Sequence, residues 1–229
     1  INAAKLAFEW IEGEQLRKLE DTFEALTAGM LNDLYRNLAW LLKGVSTIVM
    51  ACADTRIASD LRPSFLNDEV VNDLRLLPRF INRLAFRVNT GLTDKALWLT
   101  TLNKIYPERG FKLTRIEMLN ISSSEYYKPE YLSQGEQEAE EFRLELFKNI
   151  KPTPHKKSNW LRDAAKVWKI NQRSLAAERH VLKSKKIGFE KQFKTYYDAR
   201  GIEYEQAFEV LLSLAGINYL KLDDGKSIN

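Results

Sequence analysis

The stretch TAGMLNDLYRNLAWLLKGVSTIVMAC, residues 27–52, decides the fold class of this chain. Thr27 is a suitable N-cap residue. Behind it, apolar residues recur at intervals of three and four, the spacing of one helix face, at Leu31, Leu34, Leu38, Leu41, Val45, Ile48 and Cys52. We therefore predict one long helix here and expect this apolar face to be buried.

Helical patterns continue in both directions from this helix, and no stretch alternates like a strand. Proline and glycine mark the ends of the segments. The spacing predicts further helices over residues 3–11, 14–21, 67–77, 78–89, 93–105, 109–121, 136–149 and, with glycine breaks at 188 and 201, 160–215. The predicted fold class is all-α, a helical bundle.

Composition restricts the class of protein. The chain has 229 residues, of which 45% are hydrophobic and 29% charged, as in an ordinary globular protein. Its single cysteine, Cys52, excludes an internal disulfide framework and indicates a reducing compartment, so we expect a cytoplasmic protein. No apolar run reaches the roughly 18 residues of a membrane span. Since the sequence begins at Ile1, we expect a piece of a longer protein.

Residues 151–157, KPTPHKK, predict the domain boundary because two prolines and a run of charge do not favour a packed element. We expect a helical bundle over residues 1–150 and a basic helical extension over 151–229. Residues 151–200 include 14 Lys and Arg but only four Asp and Glu. Such a surplus indicates a surface that binds a polyanion.

Catalytic motifs are absent from the sequence. Gly225-Lys226-Ser227 ends like a phosphate loop, but Leu220 stands where that loop needs glycine. His155, His180 and Cys52 are too few for a zinc site of soft ligands. We therefore expect a binding module rather than an enzyme.

Four arginines spaced four apart form the first candidate site, and this spacing aligns them along one side of a helix. They are Arg75, Arg79, Arg83 and Arg87. Like charges at this spacing oppose helix formation, and the guanidinium fork suits phosphate. The alternative is intramolecular pairing, either with the acidic helix around Glu136–Glu145 or with acids just upstream of the stripe, Asp68, Glu69 and Asp73.

A second basic cluster follows the predicted boundary, at Arg162, Lys166, Lys169 and Arg173. In a continuous helix these residues share one face. Residues 163–175 also resemble a helix-turn-helix, in which Ile170 lies in the turn and Gln172 opens the recognition helix. Nearby aromatic residues are candidates either for base stacking or for the core, namely Trp98, Trp160, Trp168, Tyr196 and Tyr197.

Several segments resemble the region that follows the ATPase domains in superfamily 2 DExH-box helicases of the Ski and archaeal repair type. They are FEWIEGE at 8–14, LYRNLAWLL at 34–42 and LAFRVNTGLTDKAL at 84–97. RGFKLTRIEMLNI at 109–121 is similar to a degenerate form of the helix-hairpin-helix-like segment that closes the ratchet domain of that family.

The resemblance implies a winged-helix remnant leading into a ratchet-like helical bundle that contacts a translocating single strand. The strand-facing residues would be Arg79, Arg83, Arg87, Arg109, Lys112 and Arg115. ATP and magnesium would belong to the missing ATPase domains of the parent chain. We therefore expect an accessory region that binds single-stranded or duplex nucleic acid. The alternatives are a helical scaffold for a protein partner and a helix-turn-helix DNA-binding module.

Overall fold

The computed structural model describes residues 3–23, 26–149 and 154–218, apart from the side chain of Ser59. Every regular element in these ranges is helical, which confirms the all-α prediction. The wing of a winged helix, which is a β-hairpin, is therefore not among the described elements. The chain forms two compact units, Ile1–Ala165 and Lys166–Asn229.

The helices of the described ranges are numbered in chain order. They are α1 (Ala3–Ile11), α2 (Leu16–Thr22), α3 (Ala28–Cys52), α4 (Asp68–Leu74), α5 (Leu77–Thr90), α6 (Leu99–Leu102), α7 (Arg115–Ser123), α8 (Pro129–Leu132), α9 (Gln137–Phe147), α10 (Pro154–Lys185), α11 (Glu190–Asp198) and α12 (Ile202–Leu214). Single 3-10 turns lie at Ser59–Leu61, Asp94–Ala96, Pro107–Arg109 and Glu125–Tyr127.

Helix α3 begins where its sequence predicts, since the Thr27 hydroxyl accepts a hydrogen bond from the Met30 amide. Its buried face differs from the prediction. The buried residues are Leu31, Tyr35, Ala39 and Ser46, whereas Leu41, Val45 and Ile48 are exposed. The expectation that the whole predicted stripe is buried is therefore wrong. Small side chains at 39 and 46 permit a close approach of α5, and α3 turns this face inward.

The core of the first unit joins α1, α2, α3 and α5. The Trp10 and Tyr35 rings stack with centroids 4.8 Å apart, and the Trp10 indole N–H donates to the Val88 carbonyl at 2.9 Å. At the other end of α5, the Ser46 hydroxyl donates to the Pro78 carbonyl at 3.3 Å. Helices α3 and α5 are therefore antiparallel neighbours.

Two predicted helices are shorter than expected. The helix predicted from Thr93 to Ile105 is divided into the 3-10 turn Asp94–Ala96 and α6. The helix predicted over 109–121 begins only at Arg115, because Gly110 is left-handed and Thr114 starts α7 with a capping box to Glu117.

Helix α10 is continuous for 32 residues. Residues 151–153 of the predicted boundary lie outside the described residues, whereas Pro154–Lys157 form a helical turn rather than a linker. The helix-turn-helix interpretation of residues 163–175 is wrong, because Lys169 and Ile170 are helical and no glycine or proline interrupts this stretch.

The second unit is organised around aromatic side chains. Tyr196 of α11 and Tyr204 of α12 join through their hydroxyls at 2.7 Å, and Phe208 lies 6.0 Å from the Tyr196 ring. On α10, His180 contacts Phe193 edge-on and its Nδ1 hydrogen-bonds the Tyr197 hydroxyl. Among the described helices, none combines the length and the apolarity needed to cross a bilayer.

Candidate nucleic-acid interface

The arginines near α5 lie away from its packed face. Pro78, Ala85 and Val88 are the buried residues of this helix, and Arg79 and Arg83 lie on its opposite side. Arg75, which ends α4, and Arg79 are exposed and have no ion pair within the described residues. These two remain available to a partner.

Arg83 and Arg87 pair within the molecule. Arg83 Nε lies 2.8 Å from Asp94 Oδ1 in a half-exposed pair. Arg87 Nη2 lies 2.8 Å from Glu12 Oε1, and its side chain, only 18% exposed, also donates to the Ile11 and Leu92 carbonyls. The intramolecular alternative therefore describes Arg87 well, although its acidic partner is not one of the acids that the sequence suggested.

Arg115 is half-buried and bonded within the fold rather than a free surface cation. Its guanidinium donates to the carbonyls of Gly91 at 2.7 Å, Glu14 at 2.9 Å and Trp10 at 3.0 Å. Burial lowers its pKa to about 10. We name this arrangement of Arg115, Trp10, Glu14 and Gly91 the Arg115 clasp.

The other two residues of the hairpin-like segment lie in different surroundings. Arg109 pairs with Asp163 at 3.0 Å, and its guanidinium lies 4.2 Å from the centroid of the Tyr106 ring. Lys112 is exposed and has no ion pair within the described part of the chain. Of the six residues that the family resemblance assigns to the strand, Arg79 and Lys112 are the ones left unpaired by these contacts.

Helix α10 carries the basic face that its spacing predicts. Arg162 lies in the first unit and pairs weakly with Asp163 at 3.4 Å. Lys166, Lys169 and Arg173, which we name the α10 basic row, lie in the second unit and are all exposed. Within the described ranges none of these three has a carboxylate partner. Their helical positions span about 10 Å along the axis.

More cations follow the α10 basic row in the same unit. From residue 166 to residue 200 the sequence has ten Lys and Arg and three acids. Five exposed lysines belong to this set, at Lys183, Lys185, Lys186, Lys191 and Lys194. The positive charge of this segment is therefore largely uncompensated.

The aromatic candidates for base stacking are mainly structural. Trp160 is fully buried, and its indole N–H donates to the Ile105 carbonyl. The hydrogen bond with Tyr204, together with burial, raises the pKa of Tyr196 to about 12. Trp98 and Trp168 are half-buried.

Sequence reasoning missed an exposed apolar surface on the first unit. It consists of Leu41, Val45 and Ile48 on α3 and Leu77, Phe80 and Leu84 on α5. We name these six residues the apolar flank. The small residues Ser46 and Ala85, which directly follow Val45 and Leu84 in the sequence, mark the buried faces of α3 and α5. They were the signal that the neighbouring apolar flank would be exposed.

No family model, curated protein or solved structure matches this chain. Within residues 3–23, 26–149 and 154–218, no three His, Cys, Asp or Glu side chains gather as a metal site. Gly225-Lys226-Ser227 lies outside these ranges.

Proposed function

We propose that this chain binds nucleic acid through the α10 basic row, as an accessory region of an ATP-dependent superfamily 2 helicase. The observation that carries the proposal is the row itself. Lys166, Lys169 and Arg173 are exposed on one side of a continuous helix and have no carboxylate partner among the described residues.

Unpaired cations favour a phosphate backbone over an internal partner. Each contact with a phosphate releases condensed counterions, which supplies most of the affinity in binding that ignores sequence. In duplex DNA one strand carries a phosphate for about every 3.4 Å of helix axis, so a row about 10 Å long lies beside roughly three of them. The neighbouring lysines extend this contact without reading bases.

The arginines on and near α5 contribute less to nucleic-acid binding in this proposal. Arg75 and Arg79 are available for a second backbone contact, whereas Arg87 and Arg115 hold the fold together. ATP and magnesium belong to ATPase domains outside this chain, and no step of binding here depends on them. The helicase context rests on the family resemblance of the sequence.

Fluorescence anisotropy with labelled single-stranded and duplex DNA and RNA, over a salt series, tests the proposal. The variant is Lys166→Gln/Lys169→Gln/Arg173→Gln. The matched control removes three other exposed cations, Arg17→Gln/Arg36→Gln/Lys43→Gln, and changes net charge equally. Circular dichroism verifies that both variants fold.

We expect the α10 variant to bind single strands at least tenfold more weakly and to reduce the log–log salt slope by about 2, at about 0.7 per lost contact. The control variant keeps the slope. No binding by the unaltered chain, or an equal loss in both variants, overturns the proposal.

The apolar flank favours a second candidate function, that of a helical scaffold for a protein partner, because large exposed apolar patches mark protein interaction sites.

A further inference from the structure

We infer that the cavity between the 3-10 turn Glu125–Tyr127 and the start of α9 binds a methylated ammonium group. We name it the tyrosine cavity, and its lining includes Glu125, Tyr126, Tyr131, Gln134, Glu136 and Glu138. These residues lie in the first unit, whereas the α10 basic row lies in the second. The inference therefore goes beyond nucleic-acid binding and does not depend on it.

Two tyrosine rings form adjacent walls of the tyrosine cavity. The rings of Tyr126 and Tyr131 have centroids 6.4 Å apart and planes at 86° to each other. Phe142 stacks on Tyr126 with centroids 4.9 Å apart, which fixes the orientation of that wall. A cation is attracted to the face of an aromatic ring within about 6 Å of its centroid. Because the two centroids are 6.4 Å apart, one ammonium nitrogen can lie within that distance of both.

Carboxylates give the tyrosine cavity a negative charge that the described part of the chain does not neutralise. Glu125, Glu136 and Glu138 belong to the lining and are exposed, and none of them forms an ion pair with a described residue. Loss of hydration, and then the charges of Glu125 and Glu138, raise the pKa of Tyr126. These carboxylates therefore act on the ring itself. The N-terminus of α9 offsets only about half an elementary charge.

An unpaired oxygen adds to this negative field. Gln134 also lines the tyrosine cavity, and its Oε1 atom is buried yet accepts no hydrogen bond from the described residues. Buried acceptors are normally paired, so the negative end of this amide dipole is left uncompensated in the cavity wall. It attracts a cation and repels a phosphate, as the carboxylates do.

The size of the tyrosine cavity and the nature of its walls select the kind of cation. Its volume is about 220 Å³, below the roughly 300–1,000 Å³ of sites for drug-sized ligands, so it holds one head group or one side-chain end. A bare ammonium is strongly hydrated and loses that water on an aromatic ring. Methyl groups weaken this hydration and pack on the rings, as in the aromatic cages that hold choline and methylated lysine. No three carboxylates of the described ranges converge as they would on a metal ion.

The test uses two methylated probes, choline and a capped trimethyl-lysine, which present the same group as a free compound and as a protein side chain. Dimethylbutanol, the neutral isostere of choline, controls for charge. Capped lysine without methyl groups controls for hydration. Nuclear magnetic resonance titration of the isotopically labelled chain measures each affinity and identifies the residues whose amide signals shift.

Variants separate the contribution of the aromatic wall from that of the charges. Tyr131→Leu removes one ring face and Tyr131→Phe keeps it, and since this side chain is 42% exposed, both variants should fold. Glu136→Gln/Glu138→Gln removes two charges of the lining. The matched control, Glu140→Gln/Glu145→Gln, removes two exposed charges of α9 that do not belong to it. Circular dichroism verifies the fold of each variant.

We expect both methylated probes to shift signals of the lining residues, and dimethylbutanol and unmethylated lysine to bind at least about fivefold more weakly. Tyr131→Leu and Glu136→Gln/Glu138→Gln should each weaken binding at least about threefold, whereas Tyr131→Phe and the control variant should change it less than about twofold. Tighter binding of choline assigns the group to a free compound or a lipid head group. Tighter binding of trimethyl-lysine assigns it to a protein side chain.

Several outcomes overturn the inference. They are no binding of either methylated probe, equal binding of dimethylbutanol, signal shifts confined to residues outside the tyrosine cavity, and equal losses in the two glutamate variants. Full affinity in Tyr131→Leu also overturns it, and if that variant does not fold, the glutamate variants decide. Failure of the α10 variant to weaken nucleic-acid binding bears on the proposed function alone and leaves this inference intact.

Discussion

The guanidinium carbon of Arg115 lies 3.7 Å from the centroid of the Trp10 indole ring. The same guanidinium donates to carbonyls at the ends of α1 and α5, and Trp10 in turn donates to Val88. One cation–π contact and its hydrogen bonds thus join three segments that are distant in sequence.

Replacing Arg115 by Lys should destabilise the fold although the charge is kept. A lysine ammonium lacks the planar fork that reaches three carbonyls and stacks on the ring. Leaving buried acceptors unpaired costs about 1–3 kcal/mol each, so we expect the free energy of unfolding to fall by about 2–4 kcal/mol in urea denaturation. Lys112→Met, at an exposed neighbour, should change it by less than about 0.5 kcal/mol. Equal effects of the two changes would contradict the clasp.

Gly91 should be intolerant of any side chain. Its φ is +63°, and a Cβ there would lie 2.2 Å from the Trp10 ring and 2.6 Å from Arg115 Nε. Gly110 has a similar φ of +71°, but a Cβ there would meet nothing within 4 Å. Gly110→Ala should therefore cost about 1–2 kcal/mol for the left-handed backbone alone. Gly91→Ala should cost at least about 2 kcal/mol more by thermal or chemical denaturation, and a similar cost at both sites would show that the ring does not matter.

Lys157 and Glu117 should depend on each other. Their charged atoms are 2.6 Å apart, and their side chains are 6% and 12% exposed. Removing one member of a buried ion pair costs about 3–5 kcal/mol, because the other charge stays buried. We expect Lys157→Met to lose about 3 kcal/mol and the double variant Lys157→Met/Glu117→Gln to recover part of it. A double variant as unstable as the sum of its single variants would argue against direct coupling.

Tyr196 should make the fold sensitive to alkali. Its pKa rises to about 12 because it hydrogen-bonds Tyr204 and is partly buried, so the folded chain holds this proton more tightly than the unfolded chain does. Stability linked to Tyr196 should be constant below about pH 10 and fall as the pH rises towards 12. Alkaline titration followed by phenolate absorbance measures this. Tyr204→Phe should lower the Tyr196 pKa, and an unchanged titration would contradict the role of the hydrogen bond.

Sequence patterns predicted elements better than they predicted faces. The start of α3 at Thr27 and the end of α5 at Gly91 follow from local rules, since a hydroxyl caps one and a left-handed glycine ends the other. The buried face of α3 depends on where α5 packs, which is a tertiary choice. The helix-turn-helix interpretation of residues 163–175 failed for a local reason. These residues favour a helix and include no glycine or proline to end it, so the segment stays helical despite its resemblance to the motif.

The candidate site was likewise predictable only where it depends on local spacing. The shared face of Lys166, Lys169 and Arg173 follows from helical spacing, and that spacing was sufficient. The internal bonds of Arg87 and Arg115 join residues as far as 105 positions apart. No local pattern reports such contacts, so a stripe of arginines looks the same whether it binds phosphate or closes a fold.

The Arg115 clasp also constrains the order of assembly during synthesis. Its hydrogen bonds reach back 105 positions to Trp10 and 101 positions to Glu14. A ribosome adds roughly 5–20 residues per second, so Arg115 is synthesised on the order of 5–20 seconds after α1. During that interval the hydrophobic side chains of α1 lack their final partner, and the nascent chain passes through a stage in which α1 is accessible to a chaperone.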